Sequence, residues 1–116
     1  MDLNRSFPGN AEGKYSKQLA AHIWNITEGF DYLLDLHCCG LYGSEYTMCW
    51  YSKYDFQMEL CKKLGIMNVV HTAGTGGQLY LEAWEKRGQK SLLVELPGGQ
   101  PGGVINRQSA MDTCDK

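Results

Sequence analysis

Helical periodicity alternates with short apolar runs along this sequence, and a glycine follows each of the clearest helical segments. In those segments apolar side chains recur every three or four residues, which is typical of amphipathic helices. The predicted helices extend over Tyr15 to Glu28, Tyr54 to Leu64 and Gln78 to Arg87, with a weaker one from Val104 to Thr113. The predicted strands are Tyr32–His37, Tyr46–Tyr51, Ile66–Val70 and Ser91–Leu96. This alternation predicts an α/β fold whose sheet carries helices on both faces.

The chain is short and its charges are balanced. Its 116 residues include 11 Lys and Arg against 13 Asp and Glu, a formal net charge of −2. Such a length fits one domain with a small core. Nucleic-acid binding needs a clustered basic face, which this balance does not provide. No apolar stretch approaches the roughly 20 residues that cross a bilayer, and the opening residues show no secretory signal. We expect a cytoplasmic protein that binds neither nucleic acid nor membranes.

The cysteines do not form a recognisable framework. There are five, at positions 38, 39, 49, 61 and 114, and no Cys-x-x-Cys pair occurs among them. An odd set without such a pair predicts reduced thiols. Cys38 and Cys39 are the local candidates for redox chemistry, but neighbours on an extended chain point to opposite faces, so ordinary packing explains them. A thiol enzyme that uses either of them with His37 is a minor hypothesis, which predicts inactivation by a thiol-blocking reagent.

Polar side chains stand near the carboxyl ends of two predicted strands, where open α/β sheets bind ligands. His37 closes the strand Tyr32–His37, although a histidine at a strand end is more often structural. Glu95 lies within the apolar run Leu92–Leu96, where a carboxylate is costly unless it has a partner or a function. We therefore take Glu95 and His37 as candidate functional residues.

The opening loop adds a third polar group. Asn4 and Arg5 offer an amide and a planar guanidinium, which together can hold a carboxylate at two points. An Asn-Arg pair taken alone is usually a surface feature. The motifs that follow it along the chain make a functional role for this pair more convincing.

That order resembles the succinylglutamate desuccinylase and aspartoacylase family, within the wider zinc carboxypeptidase superfamily. The motifs are Asn-Arg-x-Phe-Pro-Gly at residues 4–9, Asp-Leu-His at 35–37 and Val-Glu-Leu at 94–96. The resemblance implies a partial catalytic domain of three-layer α/β/α architecture with a mostly parallel or mixed sheet. It also implies a zinc-dependent hydrolase that cleaves an amide or ester near a substrate carboxylate.

The resemblance assigns a role to each candidate residue. His37 is implied as a ligand of a catalytic Zn²⁺, and Glu95 as the general base. Asn4 and Arg5 are implied to hold the carboxylate of a small substrate. Zinc lowers the pKa of a bound water to roughly 7, and a nearby glutamate can then remove its proton.

Two further zinc ligands of the family come from an upstream His-x-x-Glu motif, and none of the three histidines here begins one. Catalytic zinc takes about three protein ligands, so the isolated chain is expected to bind zinc weakly and to hydrolyse little. We interpret residues 1–116 as one partial catalytic domain, a truncation or a fragment, without the upstream segment and the C-terminal region of the family. The alternative is a non-catalytic remnant that serves as a binding or interaction module. Exposed sheet edges would favour self-association in either case.

Overall fold

The computed structural model describes residues 2–38, 44–98 and 107–115. Its helices and strands are α1 (Tyr15–Ile26), β1 (Tyr32–Cys38), β2 (Tyr46–Trp50), α2 (Tyr54–Lys63), β3 (Val69–Thr72), α3 (Leu79–Arg87), β4 (Lys90–Leu96) and α4 (Arg107–Cys114). Short 3₁₀ turns cover Leu3–Arg5 and Tyr51–Lys53. The predicted α/β fold class is confirmed. Within the described ranges, no helix is both long enough and apolar enough to cross a membrane.

One predicted strand is misplaced. The sequence predicts it over Ile66–Val70, whereas β3 extends over Val69–Thr72. Ile66 is 2% exposed and packs into the core before the strand begins. Its apolar character therefore reflects burial rather than strand pairing. Residues 99–106, which include the start of the last predicted helix, lie outside the described residues.

The four strands form one sheet in the order β1-β4-β2-β3. Strand β2 pairs in parallel with β3, with Thr47 opposite Val69. It pairs with β4 in the antiparallel sense, with Tyr46 opposite Glu95. Strand β4 is thus an inner strand, and Glu95 has a neighbouring strand on each side.

The first residues of β1 and β4 lie side by side. The backbone N–H of Lys90 donates to the carbonyl of Asp31 at 2.9 Å, and the Lys90 Nζ lies 5.4 Å from the centre of the Tyr32 ring. Because the first residues of both strands lie at this point, β1 and β4 run parallel. The sheet is therefore mostly parallel, as the sequence predicts.

Strand β1 is an outer strand of the described sheet, and its burial alternates. The side chains of Tyr32, Leu34 and Leu36 are 56%, 42% and 43% exposed, whereas the residues between them are half-buried. An outer strand with apolar side chains of this exposure can associate with other chains. Self-association through a sheet edge stays a prediction.

One compact unit consists of Met1–Asp35 and Ala73–Ser91. Its core contains Phe7 of the opening loop, Ala20 of α1 and Leu79 of α3, and Leu33 of β1 packs against them. Burying these side chains fixes the opening loop against the two helices. The hydrophobic effect contributes about 1.5–3 kcal/mol for each large apolar side chain that is fully buried.

Polar contacts also join the ends of α1 and α3. The Arg87 guanidinium lies 3.6 Å above the Trp24 ring and donates to the Trp24 carbonyl at 2.8 Å. Gln89 is 5% exposed, and its side-chain NH₂ group donates to the carbonyls of Thr27 and Phe30, each at 2.9 Å. These bonds satisfy backbone groups that would otherwise be left unpaired where α1 ends.

The second compact unit consists of Leu36–Thr72 and Leu92–Lys116. Its buried cluster comprises Cys49, Cys61, Ile66, Leu92, Val94 and Leu96. Helix α2 is joined to the end of β2 by Gln57, which is fully buried and accepts a hydrogen bond from the Trp50 backbone N–H at 2.6 Å. A buried amide of this kind needs such a partner, because an unpaired polar group in a core is destabilising.

Candidate active site

The opening loop is folded by its own side chains. The Asp2 carboxylate accepts a hydrogen bond from the Asn4 backbone N–H at 2.9 Å, and the Ser6 hydroxyl donates to the Asp2 carbonyl at 2.9 Å. Phe7 is 7% exposed and anchors the loop in the core. The candidate residues Asn4 and Arg5 therefore lie on an ordered turn rather than on a free terminus.

Asn4 has a structural role that the sequence pattern does not indicate. Its Oδ1 accepts a hydrogen bond from the backbone N–H of Leu79, the first residue of α3, at 3.0 Å. Gln78, at the N-cap position of α3, makes no capping bond of its own. Asn4 thus caps α3 from 75 residues away. This role does not compete with carboxylate binding, because a carboxylate takes hydrogen bonds from the NH₂ end of the amide.

Arg5 is exposed, and its Nη1 donates to the Asn4 carbonyl at 2.6 Å. A guanidinium carries five N–H donors, so this single bond leaves capacity for a carboxylate. The bond also orients the guanidinium relative to Asn4. The pair is therefore arranged in a way that suits the predicted two-point recognition of a carboxylate.

The backbone of Arg5 lies directly against a glycine turn. Gly77 has a φ of +82°, and a Cβ at this position would lie 2.5 Å from the Arg5 carbonyl oxygen. The Gly77 carbonyl accepts a hydrogen bond from the Phe7 N–H at 3.1 Å. Only glycine allows this approach, since it has no Cβ and adopts positive φ at little cost. Gly77 was not among the predicted site residues, although the Gly-Thr-Gly-Gly run at 74–77 marks the turn.

Side chains of the α3 N-cap residue Gln78 and of Glu82 within α3 hold this glycine turn in place. The Gly77 N–H donates to Glu82 Oε1 at 2.7 Å, and the Thr75 N–H donates to Gln78 Oε1 at 2.7 Å. Glu82 also forms an ion pair with Lys86 at 3.4 Å. The first turn of α3 thus supports the surface on which the Arg5 backbone rests.

Asn4→Ala tests the capping role. The substitution removes the acceptor for the first N–H of α3, and we expect the free energy of unfolding to fall by about 1 kcal/mol. Urea denaturation measures the difference. Asn10→Ala is the matched control, because Asn10 is exposed and its side chain accepts a local hydrogen bond from the Glu12 N–H. An equal loss of stability in both variants would contradict the assignment of Asn4 as a long-range cap.

His37 and Glu95 are the penultimate residues of β1 and β4, and both are half-buried. Strands β1 and β4 are neighbours in the sheet, and their first residues lie side by side. An imidazole and a carboxylate are therefore carried near the carboxyl ends of two neighbouring strands.

The four candidates fall into two pairs. Asn4 and Arg5 belong to the first compact unit, where one turn holds both. His37 and Glu95 belong to the second, at the ends of adjacent strands. The catalytic and substrate-binding roles implied for them stay predictions.

A metal site is not complete within the described residues. Among residues 2–38, 44–98 and 107–115, no group of three His, Cys, Asp or Glu side chains is placed to hold a metal ion. Catalytic zinc takes three protein ligands and a water. These parts of the chain therefore do not by themselves fit a catalytic zinc, and His37 is the one ligand that the resemblance assigns to them.

Comparison with known protein families identifies the chain. A model of the succinylglutamate desuccinylase/aspartoacylase catalytic domain matches residues 1–114. The chain belongs to this family. The resemblance inferred from the order of the sequence motifs is therefore confirmed. Desuccinylases and aspartoacylases remove acyl groups by hydrolysis, so the succinylglutamate desuccinylase/aspartoacylase family is one of deacylating hydrolases.

Solved structures of this family share the fold. The product-bound ectoine utilization protein EutE (DoeB) from Ruegeria pomeroyi is 23% identical with a TM-score of 0.74. An aspartoacylase family protein from Mesorhizobium loti is 18% identical with a TM-score of 0.72. A succinylglutamate desuccinylase/aspartoacylase from Rhodobacter sphaeroides is 22% identical with a TM-score of 0.71. Each comparison covers 97% of this chain but 36%, 38% and 34% of the respective relatives, so the chain spans about a third of their length. No curated protein matches the sequence.

Proposed function

We propose that residues 1–116 form part of a hydrolase that cleaves an amide or ester next to a substrate carboxylate. The family match over residues 1–114 carries this proposal. A desuccinylase removes a succinyl group from glutamate, and an aspartoacylase acts on an acylated aspartate. Both kinds of substrate place a carboxylate near the bond that is cleaved.

Glu95 is proposed as the general base. Its neighbours Val94 and Leu96 are 0% and 6% exposed, so apolar side chains flank the carboxylate along β4. Such a carboxylate can accept a proton from the attacking water as the water oxygen bonds to the carbonyl carbon. Delivery of that proton to the leaving nitrogen or oxygen then completes the hydrolysis. Its position near the carboxyl end of β4, on the strand next to that of His37, supports this assignment.

Arg5 and Asn4 are proposed to hold the substrate carboxylate. The guanidinium is exposed and is oriented by its bond to the Asn4 carbonyl. Charge-assisted hydrogen bonds from a guanidinium are stronger than neutral ones and fix the direction of a carboxylate. This contact would position the scissile bond for attack. Arg5 and Asn4 themselves would take no part in the chemical step.

His37 is proposed as one ligand of the zinc that the family uses, with the other ligands outside the described residues. When bound, zinc would supply an acidified water and polarise the carbonyl.

The 116-residue chain itself is expected to bind zinc weakly. Titration with zinc chloride under reducing conditions, followed by calorimetry, is expected to show no tight stoichiometric binding. His37→Ala is the comparison, because it removes the assigned ligand and should abolish any weak binding at that position. Tight binding of one zinc ion by the chain, lost in His37→Ala, would show that residues 1–116 complete the site and would overturn this expectation.

The carboxylate contact is tested by Arg5→Ala in a full-length enzyme that contains these residues. We expect KM for an N-acyl amino acid to rise about 10- to 100-fold with little change in kcat, since a hydrogen bond to a charged group contributes about 1.5–3 kcal/mol. Arg5→Lys should recover part of the affinity. The control substrate carries a carboxamide in place of the carboxylate. The KM for this control substrate should be the same in Arg5→Ala and in the parent enzyme. An unchanged KM for the acid would remove Arg5 from the site.

A further inference from the structure

Two thiols that the proposed hydrolysis does not use meet in the core of the second compact unit. Cys49 lies on β2 and Cys61 on α2, and their sulfur atoms are 3.8 Å apart. Both side chains are fully buried, whereas Cys38 and Cys114 are exposed. The residues are 12 positions apart, so the contact arises from packing of the helix on the strand and not from a sequence motif.

We propose that hydrogen peroxide converts Cys49 and Cys61 into a reversible intrachain disulfide that joins β2 to α2. A disulfide has an S–S distance of about 2.05 Å, so the sulfur atoms must approach by roughly 1.8 Å. Rotation of the two side chains can supply much of this movement, because each thiol is carried on a single carbon. The two sulfur atoms are already neighbours in the folded chain.

Hydrogen peroxide supplies the two-electron oxidation that the disulfide requires. The Cys61 thiolate attacks one peroxide oxygen, the O–O bond breaks, and the released hydroxide takes up a proton to leave water and a sulfenic acid on Cys61. The Cys49 sulfur then attacks the Cys61 sulfur, and the sulfenic oxygen leaves as a second water with the Cys49 proton. Two thiols are oxidised by two electrons and one peroxide is reduced to two waters.

The environment of the pair favours this order of events. The Cys49 S–H can donate a hydrogen bond to the sulfur of Cys61, which lowers the pKa of Cys61 to about 7. The same bond to Cys61 raises the pKa of Cys49, and burial adds to the effect. Cys61 therefore loses its proton first and serves as the nucleophile, since the thiolate is the reactive form.

The burial of Cys49 and Cys61 determines which oxidants can reach them. A fully buried sulfur is reached by a small neutral molecule through brief local opening, whereas a bulky disulfide such as oxidised glutathione is excluded until the helix detaches. The exposed Cys38 and Cys114 have no such protection. Peroxide and oxidised glutathione should therefore modify different cysteines of the same chain.

The test uses a chain in which Cys38, Cys39 and Cys114 are replaced by serine, so that the pair alone remains. After treatment with hydrogen peroxide and alkylation, the intact mass is expected to fall by that of two hydrogen atoms. Cleavage after Lys53 separates the two cysteines, and a dithiothreitol-sensitive cross-link between the resulting peptides should identify the bond. The oxidised protein should also melt several degrees higher, because a cross-link restricts the unfolded chain. The rate should rise from pH 6 to pH 8.

Control variants keep the result interpretable. Cys61→Ser in the same background should show no loss of two hydrogens, and circular dichroism reports whether it is folded. Cys61→Ala serves as the second variant if the serine form does not fold. The proposal is overturned if peroxide leaves the folded pair reduced, if the bond forms only in urea, or if the product is a disulfide between two chains.

Discussion

Glu95→Gln is expected to lower kcat of a full-length enzyme containing these residues by about 10²- to 10⁴-fold, the usual contribution of a general base. Glutamine has nearly the same shape as glutamate but cannot accept the proton of the attacking water. The packing of Val94 and Leu96 around position 95 should be preserved, because both side chains are buried and neither contact depends on charge. Steady-state hydrolysis of an N-acyl amino acid measures the loss, and atomic emission measures the zinc content.

The matched control is Glu59→Gln, the same substitution at an exposed position of α2. Its turnover should stay within about twofold of the parent, since surface substitutions away from a site have small effects. Retained turnover in Glu95→Gln would remove Glu95 from the role of base. Loss of zinc together with activity would also contradict that role, because it would indicate that the Glu95 carboxylate is a metal ligand.

Gly77→Ala is expected to lower the free energy of unfolding by roughly 3 kcal/mol or more, which combines backbone strain with overpacking. The positive φ is unfavourable for alanine, and the new Cβ would lie 2.5 Å from the Arg5 carbonyl oxygen. The Arg5 backbone must then move away from the turn. In an active enzyme the same substitution should raise KM, because the guanidinium would lose its position.

Gly65→Ala separates the two causes of that loss. Gly65 has a φ of +68°, and nothing lies within 4 Å of the Cβ that alanine would add. It should therefore show only the cost of positive φ, about 1 kcal/mol. Urea denaturation of both variants gives the comparison. Equal losses would mean that the close approach between Gly77 and Arg5 has no energetic consequence.

Local pattern was enough to predict most of the fold. The spacing of Tyr15, Leu19 and Ile23 predicts α1, and the observed helix ends at Ile26, close to the expected glycine stop. The apolar run at Ser91–Leu96 likewise predicts β4 to within one residue. The prediction failed at Ile66 because a buried loop residue and a buried strand residue have the same apolar character. Periodicity reports which side chains are buried but not which backbone groups are paired.

The candidate site was predictable only where it departed from a local rule. Glu95 is conspicuous because a carboxylate interrupts an apolar run. The capping role of Asn4 could not be predicted, since its partner Leu79 is 75 residues away and no local motif links them. The contact between Cys49 and Cys61 depends in the same way on how a helix packs against a strand. Such long-range contacts are set by tertiary structure, which the spacing of residues in one sequence does not specify.

Gln89 is a position at which deamidation would destabilise the fold. Its NH₂ group carries two hydrogens, and both are used on the carbonyls of Thr27 and Phe30. Deamidation would convert this group into a carboxylate oxygen, so that two donors become an acceptor facing two other acceptors. A change of a single mass unit at one buried side chain would thus release the turn after α1. Stored protein should lose stability in step with deamidation at this position, whatever the state of the candidate active site.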